Sequence, residues 1–279
     1  LKDKNRLSRD VVPRNYQVSL KPDFTTFKFD GVVVIEVDVL VETSEIKMHA
    51  HEIENIVGTY WRCGKQADGK QNLSVEYLVE DKSIKLKATK TLSKGAYSIE
   101  LKFQGTLNDK MAGFYRSTYK TKDGEDKVMG TTQFEAVDAR RAFPCWDEPS
   151  FKATFDMSLI IANENLTALS NMPVRNKTTL GDGSILYEYW RSPVMSTYLL
   201  AFIVGELESI SAKSAGGTDF SVYTTPGKLS QAAFALDTGV KVLNFFEEYF
   251  GVRYPLPKQD MVGIPDFAAG AMENWGLIT

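Results

Sequence analysis

A chain of 279 residues exceeds the roughly 100–200 residues of one ordinary domain, which predicts one large or two ordinary domains and a sizeable core. Its 43% hydrophobic, 25% charged and 11% aromatic composition excludes a disordered or low-complexity chain. A net charge of −3 excludes a global attraction to nucleic acid or anionic membrane, and no apolar run approaches the ~20 residues of a membrane helix.

From Tyr16 to about Ile210 the residues alternate as strands with one wet face. Tyr16, Val18 and Leu20 alternate with Gln17 and Ser19, and Asp30-Gly31 reads as a hairpin turn between Phe27-Lys28-Phe29 and Val32 to Val41. Ile35, Val37, Val39 and Val41 are assigned to one face. The period returns in Ile84, Leu86 and Ala88, in Tyr97, Ile99, Leu101 and Phe103, and again in Phe151, Ala153, Phe155, Met157, Leu159 and Ile161. Lys120 to Lys127 and Gly181-Asp182-Gly183 mark turns. Many short strands with spaced turns predict a mainly β domain, a sandwich or a large bent sheet, over residues 1–212.

Lys213 to Gly217 reads as a domain junction, and residues 213–279 as the start of an α+β domain. A short strand is expected around Phe220 to Tyr223. Leu229, Ala233, Leu236, Val240, Leu243, Phe246 and Phe250 then recur at helical spacing, with Gly251 closing the helix. Pro255 and Pro257 forbid its continuation, and Asp260 to Ile264 resume as a strand. Leu277-Ile278-Thr279 reads as a strand with no turn after it, the expectation for part of a longer protein.

Chemistry concentrates in two segments. Gly270-Ala271-Met272-Glu273-Asn274-Trp275-Gly276 sets one carboxylate among small residues, where another extended backbone can approach closely and find an anionic anchor. Gln133 to Pro149 carries a second carboxylate, Glu135, ahead of Asp138, Arg140, Cys145 and Asp147. An isolated Glu135 would as readily pair with Arg140 or Arg141. The two histidines, His49 and His51, stand two apart on a strand, where polar edge positions explain them better than a metal site with no evident third ligand. There is no His-Glu-x-x-His, no Gly-x-Ser-x-Gly and no phosphate-cradling Gly-x-x-x-x-Gly-Lys.

Gly270-Ala271-Met272-Glu273-Asn274 resembles the exopeptidase signature of the zinc aminopeptidases that include aminopeptidase N and puromycin-sensitive aminopeptidase. The Gln133 to Pro149 block and the Val12-Pro13-x-x-Tyr16 opening extend the resemblance along the chain. It implies an N-terminal saddle-like β domain followed by the first part of a thermolysin-like catalytic domain. The parent would be a zinc metallo-aminopeptidase that removes N-terminal residues from peptides, with zinc held by residues this chain does not contain. Glu135 and Glu273 would share the substrate's α-ammonium. Gly270 and Ala271 would offer backbone to the substrate, Met272 would wall the first side-chain pocket, and Asn274 would orient Glu273 or bond substrate. The chain alone is expected to be inactive, with peptides bearing a free N-terminus as its partners and no nucleic acid.

Among related enzymes, the leukotriene A4 hydrolase branch resembles Gln-x-Gln-Ala and Gly-Gly-Met-Glu-Asn where this chain has Gln133-Phe134-Glu135-Ala136 and Gly270-Ala271; both departures favour a plain aminopeptidase. The reading from another class is a non-catalytic peptide- or protein-binding product. Two cysteines, Cys63 and Cys145, suit a reducing compartment and a cytoplasmic location, whereas Asn-x-Ser/Thr patterns at Asn72, Asn165 and Asn176 would suit an ectodomain.

Overall fold

The computed structural model describes residues 6–64 and 69–279. Three sheets are stacked in layers. The first has ten strands, in spatial order β12 (Val174–Thr179), β13 (Ile185–Tyr189), β10 (Thr154–Ile161), β1 (Val11–Asp23), β2 (Lys28–Val39), β7 (Gly95–Thr106), β4 (Ile53–Arg62), β5 (Gln71–Leu78), β6 (Ser83–Leu92) and β3 (Thr43–His49). All its pairings are antiparallel except β1 with β10, where Asn15 to Leu20 run beside Thr154 to Leu159. The second sheet orders β11 (Thr167–Ser170), β14 (Phe202–Gly205), β9 (Asp126–Gln133) and β8 (Gly113–Lys120).

The alternation read from the sequence supplies the buried face of the first sheet: Tyr16, Ile35, Val37, Ile84, Leu86, Ile99, Leu101, Phe155 and Leu159 are all buried. A chain of aromatic rings joins that face to the second sheet. Phe29 contacts Phe114 at 5.3 Å between centroids, Phe114 contacts Phe202 at 4.9 Å, and Phe134 lies between Phe202 and Phe143. Tyr16 then stacks on Phe155 at 5.1 Å and meets Phe143 edge-on. Each pair contributes about 0.5–1.5 kcal/mol beyond its buried area.

The hairpin turn falls three residues before Asp30-Gly31. Asp23 caps it, its carboxylate accepting from Thr25 N at 2.8 Å and Thr26 Oγ1 at 2.7 Å, while Asp30 and Gly31 pair with Lys21 and Leu20 inside β2. Gly31 is there for space: a Cβ on it would meet the Phe103 ring at 2.3 Å. Val41 does not share the buried face; it lies beyond the end of β2 and is 50% exposed.

β14 is buried on both faces. Phe202 and Val204 face the first sheet, whereas Ala201 and Ile203, with Met129 and Leu169, pack on Val262 and Leu277 of the third. The third sheet orders β15 (Glu208–Lys213), β16 (Asp219–Thr224), β17 (Lys258–Val262) and β18 (Leu277–Ile278). Lys213 to Gly217 therefore lies at the tip of the β15–β16 hairpin, closed by Ser214 N to Thr218 O at 2.9 Å, and the passage between sheets comes at Glu206-Leu207.

The helix α1 (Ala232–Phe250) ends at Gly251, whose φ of 64 is the left-handed stop expected of a glycine. Ala235, Leu236, Val240 and Leu243 pack on Phe220 and Val222 of β16. Phe246 and Phe250, expected on that same face, are instead exposed, as are Phe234, Phe245 and Tyr249. No helix among the described residues is long and apolar enough to cross a membrane.

Candidate functional site

Glu135 lies two residues beyond the end of β9. Phe134 is buried between Phe202 and Phe143, so the next residue is turned outward, and Glu135, Ala136 and Val137 are all exposed. Asp138 N closes a turn back onto Phe134 O at 2.9 Å, and the Glu135–Ala136 peptide is cis. The following short 3-10 turn, Ala139–Arg141, is fastened from below. Arg140 Nε and Nη2 donate to Asp147 Oδ2 and O at 2.9 and 3.0 Å, and Asp147 also accepts from Thr197 Oγ1. Arg141 pairs with Asp138 and Glu52.

With both arginines engaged there, neither pairs with Glu135. Among the described residues its carboxylate has no hydrogen-bond or ion-pair partner. Cys145 is fully buried, and burial pushes its thiol well up, which disfavours the thiolate; its backbone pairs with His49.

Glu273 sits on a small hairpin. Met272 N and O pair with Thr279 O and N at 2.8 and 3.3 Å, and Leu277 N donates to Asn274 O at 3.1 Å across the turn. Side chains alternate along it: Met272 and Asn274 are buried, Glu273 and Trp275 exposed. The Glu273 carboxylate likewise has no partner among the described residues. Asn274 Nδ2 reaches Thr279 Oγ1 at 3.3 Å, which braces the hairpin from within.

Met272 belongs to the main core cluster, 1% exposed, and Gln133 Nε2 lies 3.5 Å from its Sδ. Gly270 and Ala271 are exposed, and among the described residues their backbone groups make no backbone hydrogen bonds.

Three further clamps, whose roles the sequence does not reveal, hold this hairpin. Asp266 Oδ2 accepts from Ser117 Oγ at 3.0 Å and Thr118 N at 2.7 Å of β8. Asn171 Nδ2 donates to Trp275 O and Leu199 O, both at 2.8 Å. Gly276, φ 75, passes so close that a Cβ would meet Asn171 O at 2.2 Å. Lys258 is buried and spends its donors on Ser170 O at 2.6 Å, Gly276 O at 2.8 Å and Asp260 Oδ2 at 2.5 Å. Burial lowers the Lys258 ammonium and raises the Asp260 carboxyl, each opposed by the other's charge. Both carboxylate-bearing tips are thus exposed, unpaired and rooted in rigid strands.

Residues 12–199 match the Peptidase M1 N-terminal domain and residues 234–279 the Peptidase family M1 domain. The chain belongs to the M1 peptidase family. Similar M1 relatives include the puromycin-sensitive aminopeptidase of Caenorhabditis elegans, 44% identical over 98% of this chain. Aminopeptidase M1 of Arabidopsis thaliana is 43% identical over all of it, and endoplasmic reticulum aminopeptidase 1 of Homo sapiens is 40% identical over 99%. The chain covers 29%, 31% and 29% of these relatives, so it spans less than a third of their length.

M1 peptidases are in general zinc-dependent. The described residues do not fit such a metal: no group of three His, Cys, Asp or Glu side chains could hold one. His49 Nδ1 is already occupied, accepting from Asp147 N at 3.2 Å.

Proposed function

We propose that this M1 chain is the substrate-anchoring portion of a zinc metallo-aminopeptidase that removes N-terminal residues from peptides, with zinc held by residues outside it. The observation that carries this reading is that, among the described residues, Glu135 and Glu273 are both exposed and unpaired while Arg140 and Arg141 are engaged elsewhere. A peptide's α-ammonium would bond both carboxylates. An internal peptide offers no such charge, so the pair sets where the chain end lies and makes the enzyme an exopeptidase. A carboxylate left without a local partner is free to bond a cation, which favours amine capture over any neutral group.

Gly270 and Ala271 suit the addition of the substrate backbone as an extra strand, since their backbone groups are uncommitted and no side chain stands in the way. The burial of Met272 gives it a bracing part beneath the substrate's first residue. Asn274 braces the turn that presents Glu273. We assign the β domain to residues 1–212 and the start of the thermolysin-like domain to 213–279; the passage between sheets at Glu206-Leu207 favours drawing that line a few residues earlier.

The test uses the 279-residue chain and one pentapeptide in two forms. Saturable binding of the free-amine peptide, lost on N-acetylation and on Glu273→Ala, is the expected result; equal binding of both forms would overturn it. With no metal-holding group among the described residues, the chain alone should release no aminoacyl fluorophore, and release that Glu273→Ala abolishes would refute that expectation. A cytoplasmic location is favoured by the two free thiols, Cys63 exposed and Cys145 buried. The exposure of Asn72, Asn165 and Asn176 leaves all three open to glycans, so a mobility shift on glycosidase treatment of the native protein would reverse that assignment.

A further inference from the structure

Behind the Glu135 loop, on the side of the β domain formed by β3, lies a cleft of about 430 Å³ whose walls include Arg6, Lys47, His49, Arg140, Asp147 and Glu148. Most of its charges are already balanced. Lys47 pairs with Asp81 at 2.6 Å, and Glu148 accepts from Arg6 at 3.2 Å and from Leu7 N at 2.7 Å. Two donors are not. His49 and Arg140 are 7% and 8% exposed. His49 Nδ1 accepts from Asp147 N, so the neutral ring carries its proton on Nε2. Burial and the nearby Arg140 and Lys47 charges hold that ring neutral, with its pKa lowered to about 3.

Neither His49 Nε2 nor Arg140 Nη1 has a hydrogen-bond partner among the described residues, and Arg140 is fixed in place by its Nε and Nη2 bonds to Asp147. Neither atom is sealed from solvent, so both donors open into the cleft, where an acceptor can reach them.

We propose that this cleft is a binding site for a single carboxylate group, taken between the Arg140 guanidinium and the His49 Nε2–H. A planar carboxylate matches a guanidinium edge, and its second oxygen can meet the imidazole. The lining holds one more acidic than basic side chain, because Glu80 at its exposed rim has no partner among the described residues. That net charge works against every anion and against a doubly charged phosphate most, so a monoanion is held there only through the two directed donors. The carboxylate could come from a free amino acid or from a peptide's C-terminus. The site is separate from the amine anchor, since neither Glu135 nor any of Gly270 to Asn274 lines it, and does not depend on that anchor's assignment.

The chain's two histidines make the test direct. Imidazole ¹H–¹⁵N spectra of the 279-residue chain are followed while acetate, glycine, phosphate, and one pentapeptide with a free or an amidated C-terminus are added at constant ionic strength, with His51→Gln assigning the signals. The expected result is a saturable shift of the His49 signal with acetate, glycine or the free-acid peptide, and none with the amidated peptide or phosphate. Glycine binding with no response to the free-acid peptide identifies the small-molecule source; the reverse identifies the peptide terminus. Val137→Trp, a replacement at an exposed lining position, should weaken binding at least tenfold with an unchanged circular dichroism spectrum. Glu80→Gln should tighten it. A linear or absent shift of His49, equal shifts of both histidines, saturation by phosphate, or indifference to both substitutions would overturn the proposal.

Discussion

The side-chain amide of Gln133 lies 3.5 Å from the Sδ of Met272, joining the strand that leads into Glu135 to the residue that precedes Glu273. One contact thus ties together the two backbones that present the carboxylates. Both carboxylates are free of local bonds, so replacing either leaves the fold untouched. On the proposed function, Glu135→Gln and Glu273→Gln in the parent protein should each lower kcat/KM by ~10–150-fold, the range for one lost hydrogen bond to a charged group, with Tm unchanged. A fall in Tm matching the loss of activity would assign the residues to stability instead.

Gly276→Ala places a methyl group 2.2 Å from Asn171 O at a φ of 75. The hairpin must shift, at a cost above about 1 kcal/mol. Denaturant unfolding should show that loss, and amide exchange at Met272 and Leu277 should accelerate. Unaltered exchange would mean that the turn is not pinned by Asn171.

Lys258→Met leaves Asp260 buried without its counter-charge and removes a donor from two carbonyls. Breaking such a pair costs about 3–5 kcal/mol, whereas the double replacement Lys258→Met with Asp260→Leu should recover a large part of it. Urea titrations of the three variants measure this directly.

His49 makes stability depend on pH before most carboxylates do. Its folded pKa of about 3 lies below the unfolded value of 6.5, so the unfolded chain binds the extra proton between those limits. The contribution is fully present above pH 6.5 and is lost as pH falls toward 3, by up to about 1.4 kcal/mol per pH unit. Stability measured from pH 6.5 down to 4.5 should fall for the parent and flatten in His49→Gln.

The exposed rings of α1 stack in pairs, Phe245 on Tyr249 at 5.7 Å and Phe246 on Phe250 at 5.7 Å, and form a contiguous apolar stripe. Such a surface drives association in water. The isolated chain should therefore self-associate in sedimentation runs, and Phe245→Ser with Phe250→Ser should shift it toward monomer.

Strand alternation was legible because one face of each strand is wet, and Tyr97 to Phe103 and Phe151 to Ile161 fall where their period places them. Asp30-Gly31 misled because a glycine can serve space as well as turning, and only the position of Phe103 across the sheet tells which. Phe246 and Phe250 have helical spacing, but period does not reveal whether a neighbour exists to cover a stripe. The two glutamates stood out through the residues around them. Gln133, Asn171, Lys258 and Asp266 did not, because the partner of each lies far along the chain or is a backbone carbonyl without a sequence signature.

Those same separations impose an order of assembly. The bonds that seat the Glu273 hairpin reach back 139 residues to Gln133, 104 to Asn171 and 149 to Ser117, while the hairpin's own closure spans only Met272 to Thr279. Loop-closure entropy makes such distant contacts slow to form unless one side is already structured. The β layers therefore act as a mould that must set first, and the segment bearing Glu273 is cast against it. A lesion deep in β8 or β11 would then leave the β layers folded and the Glu273 hairpin unseated.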